Sequence, residues 1–176
     1  MNQGRVIWLT GLAGSGKSTL ARGLYKKLLA EYSNLIYLDG DELREIFDHY
    51  GYDRKSRIDM AIKRSKLANF LSNQGMIVIV STISLFKEVY DFNRRTIKNY
   101  DEIYVYCSLE ELQKRDQKNL YTNALLGKEK NVIGIDIAYD EPRPHLRLEN
   151  QKIQDVEYNI AIIQEFLKKT RKRVAK

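Results

Sequence analysis

The sequence predicts an α/β fold in which a parallel β-sheet is sandwiched between helices. Strand-like and helix-like segments alternate along the chain, and the strand-like segments are short, apolar and rich in β-branched residues, most clearly at residues 6–10 and 76–80. Continuous apolar strands are typical of a sheet that is covered on both faces, and their alternation with helices favours parallel order. The length of 176 residues suits one domain spanning residues 1–176.

The remaining elements follow from hydrophobic spacing. Further strands are predicted at residues 35–38, 102–107 and 145–148, and helices at 17–32, 42–48, 57–73, 86–99, 109–117 and 154–172. In the first helix, Leu20, Leu24 and Leu28 recur on one face. Residues 118–144 show no clean period. Because a connection of that length inside a compact domain is usually functional, we expect this segment to be a lid.

The net charge of +7 admits two interpretations, a polyanionic partner or a basic cleft for small phosphorylated molecules. Residues 168–173 supply a run of five cations. No aromatic residues are interleaved with them, so we interpret the run as a solvated helix end and expect no nucleic-acid partner.

Compartment is indicated by cysteine usage and hydropathy. The single cysteine, Cys107, excludes an intramolecular disulfide and suits a reducing compartment. No apolar run approaches the roughly 18 residues that would cross a bilayer, and no signal-peptide pattern precedes the first strand. We therefore expect a cytoplasmic protein with no membrane partner.

Residues 11–18 carry the strongest motif, Gly-Leu-Ala-Gly-Ser-Gly-Lys-Ser, a full match to G-x-x-x-x-G-K-[ST]. A predicted strand precedes it and a predicted helix follows it, as in P-loop NTPase-type folds. Glycines allow backbone N–H groups to face phosphate oxygens, Lys17 supplies a cation for the β- and γ-phosphates, and Ser18 supplies a hydroxyl for Mg²⁺. The expected ATP-binding residues are Gly11, Gly14, Ser15, Gly16, Lys17, Ser18 and Thr19.

Two aspartates, Asp39 and Asp41, follow the second predicted strand directly. Ligands of open parallel sheets bind beyond the carboxyl ends of the strands, so both carboxylates should lie beside the phosphate loop. We assign Asp39 to the metal side and Asp41 to the role of catalytic base, with helix capping as the alternative for Asp41. Arg44, one turn further on, can face the same cleft and bind a second phosphate group, or lie on the surface.

Several segments resemble the adenylylsulfate (APS) kinase family. They are the phosphate loop, the run Leu38-Asp39-Gly40-Asp41-Glu42-Leu43-Arg44, Gly51-Tyr52 followed by Arg57, Ile83-Ser84, and a lid with Gly134-Ile135-Asp136. The resemblance implies MgATP as donor and the 3′-hydroxyl of a nucleotide's ribose as acceptor. It implies Asp41 near that hydroxyl with Lys17 offsetting the developing charge, Arg44 and Arg57 near the acceptor's phosphate, Arg115 near the ATP base, and a homodimer.

Departures from the family pattern bear on the acceptor. Where the family has a lid Phe that stacks on adenine, this chain has Val132, whereas the opposing aromatic residue remains as Tyr52. Base–aromatic stacking contributes about 1–3 kcal/mol per base, so the loss of one ring weakens adenine selection. The chain resembles the branch that phosphorylates cytidine diphosphoramidate during synthesis of capsule O-methyl phosphoramidate. The expected acceptor-binding residues are Asp39, Asp41, Arg44, Tyr52, Arg57, Ile83, Ser84, Val132, Ile135 and Asp136.

Two alternatives stay open. One is an APS kinase of sulfate assimilation whose adenine clamp has repacked. The other is a nucleotide-dependent binding or regulatory protein that uses the same loop and the basic C-terminal run, which predicts ATP binding without phosphoryl transfer. The acceptor-side residues Asp41, Arg44 and Arg57 argue against the second.

Overall fold

A computed structural model describes residues 4–116, 119–151 and 155–174 of the chain. The predicted element boundaries at Gln117, Lys118 and Gln154 lie outside the described residues. Within these ranges no helix is long and apolar enough to cross a membrane.

The sheet has five strands in the order β2-β3-β1-β4-β5. Its strands are β1 Arg5–Thr10, β2 Leu35–Asp39, β3 Ile77–Thr82, β4 Tyr100–Tyr106 and β5 Leu146–Glu149. Every neighbouring pair is parallel, so the predicted parallel α/β architecture of P-loop NTPase type is confirmed. The parallel order brings the carboxyl ends of β1, β2 and β3 to one edge, where ligands of such sheets bind.

The described helices are α1 Lys17–Leu28, α2 Gly40–Ile46, α3 Arg54–Asn73, α4 Lys87–Thr96, α5 Leu109–Arg115, α6 Leu120–Leu125 and α7 Val156–Val174. Two of them begin earlier than predicted because an aspartate precedes each as N-cap. Asp39 accepts a hydrogen bond from the backbone N–H of Asp41 at 2.9 Å. Asp53 accepts one from Ser56 at 3.1 Å. The interpretation of Asp41 as the cap of α2 is therefore wrong: Asp39 has that role.

The core lies on both faces of the sheet. Side chains of a strand alternate between the two faces, and in β1 both sets are buried: Trp8 packs in the cluster on one face and Leu9 in the cluster on the other. Parts of α3 and α4 cover the first face, and α1 with α7 covers the second. Burial on both faces explains why the strands are continuously apolar.

The predicted lid segment, as far as it is described, consists of α6 and an irregular chain that returns across the sheet edge. Tyr121 of α6 donates its hydroxyl to the Ala13 carbonyl of the phosphate loop at 2.8 Å. Further along, Val132 and Ile133 are buried in the core cluster that contains Trp8. The segment is thus packed against the phosphate loop at one end and the core at the other.

Candidate active site

A cleft of about 830 Å³ opens at the carboxyl edge of the sheet. The phosphate loop, the β2–α2 junction, α3, the end of β3 and the lid all contribute to its wall. Of the predicted site residues, the wall includes Gly14, Lys17, Ser18, Asp39, Asp41, Arg44, Tyr52, Arg57, Ile83 and Val132. The structure therefore brings residues of the predicted donor side and of the predicted acceptor side together in one cavity.

The phosphate loop connects β1 to α1 with two glycines in the left-handed region, Gly14 (φ 76°) and Gly16 (φ 88°). At Gly16 a Cβ atom would also lie 2.4 Å from the Nδ2 atom of Asn150. Among the described residues, the backbone N–H groups of Gly16, Lys17 and Ser18 find no acceptor. Free N–H groups at the start of a helix form an anion-binding site, as the motif predicts.

The Lys17 side chain lies in the cleft wall, where its ammonium donates to the Leu12 carbonyl at 3.3 Å. Burial lowers the Lys17 pKa to about 8, although the charges of Asp41 and Asp39 act in the opposite direction. A bound triphosphate would add negative charge and favour the protonated ammonium again.

The Asp39 carboxylate is buried at the centre of a polar network. It accepts hydrogen bonds from the backbone N–H of Asp41, from the Tyr37 hydroxyl at 2.7 Å and from Arg22 at 3.2 Å. Burial raises the pKa of Asp39, but these hydrogen bonds outweigh burial and hold the pKa below its usual value. The Tyr37 hydroxyl also bonds Ser81, whose Oγ lies 3.4 Å from the Oγ of Ser18.

These oxygens are the candidate magnesium ligands. The Ser18 hydroxyl and the Asp39 carboxylate are hard oxygen donors of the kind that Mg²⁺ prefers, and hydrogen bonds through Ser81 and Tyr37 connect them. No cluster of three or more His, Cys, Asp or Glu side chains suited to a metal ion occurs in the described ranges. The residues therefore fit an ion held by a few protein oxygens together with nucleotide phosphates, not an all-protein cage.

Asp41 is exposed to the cleft at the first turn of α2. No described side chain donates a hydrogen bond to its carboxylate or forms an ion pair with it. The carboxylate is therefore available to a ligand in the cleft, unlike that of Asp39.

Arg44, Tyr52 and Arg57, which the sequence predicts on the acceptor side, form one group. The guanidinium carbons of Arg44 and Arg57 lie 4.5 and 5.2 Å from the centroid of the Tyr52 ring. Arg44 also donates to the His49 and Gly51 carbonyls at 3.2 and 2.8 Å. Arg57 donates to the carbonyl of Asn131 in the lid at 2.7 Å. The group connects the loop before α3 to the lid.

Asp136 lies outside the cleft wall but shapes the lid. Its carboxylate accepts hydrogen bonds from the backbone N–H groups of Asn131 and Val132 at 2.6 and 2.5 Å. Asn131 has a positive φ of 64°, which costs free energy for a residue with a side chain. The two hydrogen bonds stabilise that turn, which presents Val132 to the cleft and the Asn131 carbonyl to Arg57.

Several other predicted site residues lie outside the cleft wall and contact other parts of the structure. Ser84 is fully buried and accepts a hydrogen bond from the Trp8 indole at 3.1 Å, and Ile135 packs on the core. Arg115 donates to the carbonyls of Asn150 and Gln151 at 2.9 and 2.7 Å. Of the predicted loop residues, Gly11, Ser15, Gly16 and Thr19 belong to the loop or its helix but not to the cleft wall.

Two residues that the sequence reasoning missed support the site. The Asn150 side chain donates to the Ser15 carbonyl at 2.7 Å and so supports the phosphate loop from the carboxyl end of β5. Arg64 is 2% exposed and lies in the cleft wall. A charged residue on the apolar face of a predicted helix was the available signal for Arg64; no local pattern marks Asn150.

Comparison with known proteins places the chain in one family. A sequence model of the family described as adenylylsulphate kinase matches residues 3–149. A cytidine diphosphoramidate kinase of Campylobacter jejuni is 56% identical over 162 residues, which are 92% of this chain and 95% of that protein. An adenylyl-sulfate kinase of Clostridium acetobutylicum is 39% identical over 154 residues, 85% of this chain and 76% of that protein.

Among solved structures, the chain is similar to the Mycobacterium tuberculosis APS kinase in complex with AMPPNP and APS. The two superpose with a TM-score of 0.87 at 29% identity, over 96% of this chain and 99% of that one. The similarity extends over the whole fold that surrounds the cleft.

Proposed function

The chain belongs to the adenylylsulphate kinase family, and we propose that within this family it transfers the γ-phosphoryl group of ATP to the 3′-hydroxyl of cytidine diphosphoramidate. The observation that carries the choice of acceptor is the 56% identity to a cytidine diphosphoramidate kinase. The similarity to an adenylyl-sulfate kinase is lower, at 39%. Val132 in the cleft wall supports the same choice, because an aliphatic side chain there leaves Tyr52 as the single aromatic partner for a base.

The residues of the cleft suit an in-line transfer. ATP phosphates bind the free N–H groups of the phosphate loop and the Lys17 ammonium. Asp41 accepts a hydrogen bond from the acceptor hydroxyl and aligns its oxygen with the γ-phosphorus. A bond forms between that oxygen and phosphorus while the bond from phosphorus to the β–γ bridging oxygen breaks. ADP leaves, and the hydroxyl proton passes to Asp41 and then to solvent.

Magnesium fits the oxygen donors already described. Ser18 would ligate the ion, with Asp39 on the metal side of the loop, and the ion would neutralise charge on the β- and γ-phosphates during transfer. The hydrogen bond from the Asp41 N–H orients the Asp39 carboxylate at the start of α2.

Initial rates of ADP release with each acceptor test the proposal. With cytidine diphosphoramidate we expect kcat/KM at least about fivefold above that with APS, the lower end of the range expected for one stacking interaction. Preference for APS would contradict the proposed acceptor but leave the kinase assignment intact.

The Asp41→Asn variant tests the role of the carboxylate in the same assay. It retains the shape of the side chain but cannot accept the hydroxyl proton, so we expect kcat to fall by about 10²- to 10⁴-fold. ATP affinity should stay within about twofold of wild type, because the phosphates bind the loop. Near-normal turnover in this variant would rule out Asp41 as the base.

APS is the second candidate acceptor. The similarity of the fold to an APS kinase that was solved with APS bound favours it.

We further propose a homodimer. Light scattering coupled to size-exclusion chromatography tests this: a mass of twice 20.6 kDa supports the homodimer, and a mass of 20.6 kDa contradicts it.

A further inference from the structure

Arg64 in α3 is a charged cleft residue to which the proposed mechanism gives no role. Its side chain is 2% exposed, and it forms part of the cleft wall beside Gly40 and Thr82. Nη1 donates to the Thr82 hydroxyl at 2.5 Å and Nη2 donates to the Gly40 carbonyl at 3.0 Å. Nε is buried and has no hydrogen-bond partner among the residues that the structure describes. A guanidinium has more N–H donors than these two bonds use.

The charge of Arg64 also has no ion-pair partner among the described residues. Burying a charge is costly unless an opposite charge or a full set of hydrogen bonds accompanies it. In the described part of the chain, no carboxylate lies within ion-pair distance of this guanidinium. Burial and the positive charge of Arg44 lower the Arg64 pKa to about 10, against the attraction of Asp41 and Asp39. The group remains a cation at neutral pH.

Other arginines of the cleft wall also lack a carboxylate partner among the described residues. Arg44, Arg57 and Arg64 form no ion pair with any described residue. Burial, and after it the charge of Arg44, lowers the pKa of Arg57 and of Arg64. Arg44 and Arg57 donate hydrogen bonds to main-chain carbonyls of the loop before α3 and of the lid. Three guanidinium groups without carboxylate partners on one wall form an electrostatic site for an anion.

We propose that Arg64 is a third acceptor-binding arginine, which donates hydrogen bonds to an anionic oxygen of the phosphorus-containing group on the 5′ side of the acceptor nucleotide. The inference rests on the proposed function, since it assumes a nucleotide acceptor with such a group. The competing role is mechanical: through Gly40 and Thr82, Arg64 could merely hold the start of α2, and with it Asp41, against the end of β3.

Calorimetric titration separates the two roles. Mg²⁺ and AMPPNP fill the donor site and prevent transfer, and the protein is then titrated with cytidine diphosphoramidate or with cytidine, which carries no anionic group. We expect Arg64→Met to weaken diphosphoramidate binding by about 10- to 100-fold, as for the loss of a hydrogen bond to a charged group. Cytidine binding should change by less than about twofold. Equal weakening of both ligands, or no weakening of either, would overturn the proposal.

Two further variants keep the test decisive. Lys66→Met removes one exposed positive charge from the same helix and should leave both affinities unchanged. Arg64→Lys keeps the charge but loses the planar fork, and it carries the test if Arg64→Met does not fold, as judged by lost AMPPNP binding. We expect a smaller loss than with Met, still confined to the charged ligand; a loss shared by cytidine would again overturn the proposal.

Failure of the proposed function can be distinguished from failure of the Arg64 proposal. If wild-type protein binds APS and not cytidine diphosphoramidate, the acceptor assignment is wrong. The same comparison between APS and adenosine then tests Arg64 independently of the base, with selective weakening of APS as the supporting result and equal weakening as the contradicting one.

Discussion

At the scale of single residues, the surroundings of Lys17, Asp39 and Asp41 determine how each charged group is stabilised and whether it is open to a ligand. The Lys17 ammonium lies in a wall that favours its neutral form, while the phosphates it would bind favour the cation. Asp39 and Asp41 are two residues apart, yet one carboxylate accepts three hydrogen bonds from the protein and the other is open to the cleft. This difference supports separate roles for the two aspartates.

The Lys17 pKa of about 8 leads to a pH-dependent affinity for MgATP. Below pH 8 the ammonium is already charged, whereas above pH 8 a proton must be taken up when phosphate binds, so affinity falls as pH rises. Between pH 7 and pH 9 we expect the dissociation constant, measured without acceptor, to rise roughly tenfold. Lys17→Arg is the control, because arginine stays charged over this range and its profile should be flat. A flat wild-type profile would contradict the low pKa.

Val132 tests the acceptor preference directly. Restoring an aromatic ring with Val132→Phe should favour adenine by about 1–3 kcal/mol, or about 5- to 150-fold in kcat/KM for APS relative to cytidine diphosphoramidate. Ile135→Phe is the matched control, since Ile135 lies three residues away and outside the cleft wall. An equal change in selectivity for both variants would show that the effect comes from repacking of the lid, not from stacking.

At the scale of elements, the lid turn depends on a carboxylate outside the cleft. Asp136 fixes the N–H groups of Asn131 and Val132, and Arg57 binds the carbonyl of Asn131. We expect Asp136→Ala to loosen the turn, raise the KM for the acceptor several-fold, and increase ATP hydrolysis per transfer because water is excluded less well. Phosphate release and product formation are measured together.

Lys128→Ala is the control for the lid, because Lys128 is an exposed lid residue outside the cleft wall. Its ratio of hydrolysis to transfer should match wild type. Unchanged coupling in Asp136→Ala would mean that the turn is dispensable for closure.

The accuracy of the predictions made from the sequence differs between elements. The five strands were located within a few residues, because continuous apolar runs between polar segments mark buried parallel strands. The starts of α2 and α3 were placed too late, since each depends on an aspartate whose capping bond is not visible in hydrophobic spacing. The phosphate loop was fixed by a local motif, whereas the wall position of Arg64 depends on how α3 packs on the sheet.

At the scale of the whole molecule, strand order determines which residues meet. With β1 between β3 and β4, and β2 beside β3, the phosphate loop, Asp39 and Ser81 converge at one edge. Asn150 reaches the loop because β5 ends on the same edge. Such long-range contacts could not be derived from spacing, so the bracing of the loop by Asn150 was missed.

A competition assay measures the choice between acceptors most directly. The protein is given MgATP with equal concentrations of cytidine diphosphoramidate and APS, and both 3′-phosphorylated products are quantified by mass spectrometry. The product ratio equals the ratio of the two kcat/KM values. We expect the phosphorylated cytidine compound to exceed the other by at least about fivefold. A product mixture dominated by 3′-phosphorylated APS would contradict the proposed acceptor.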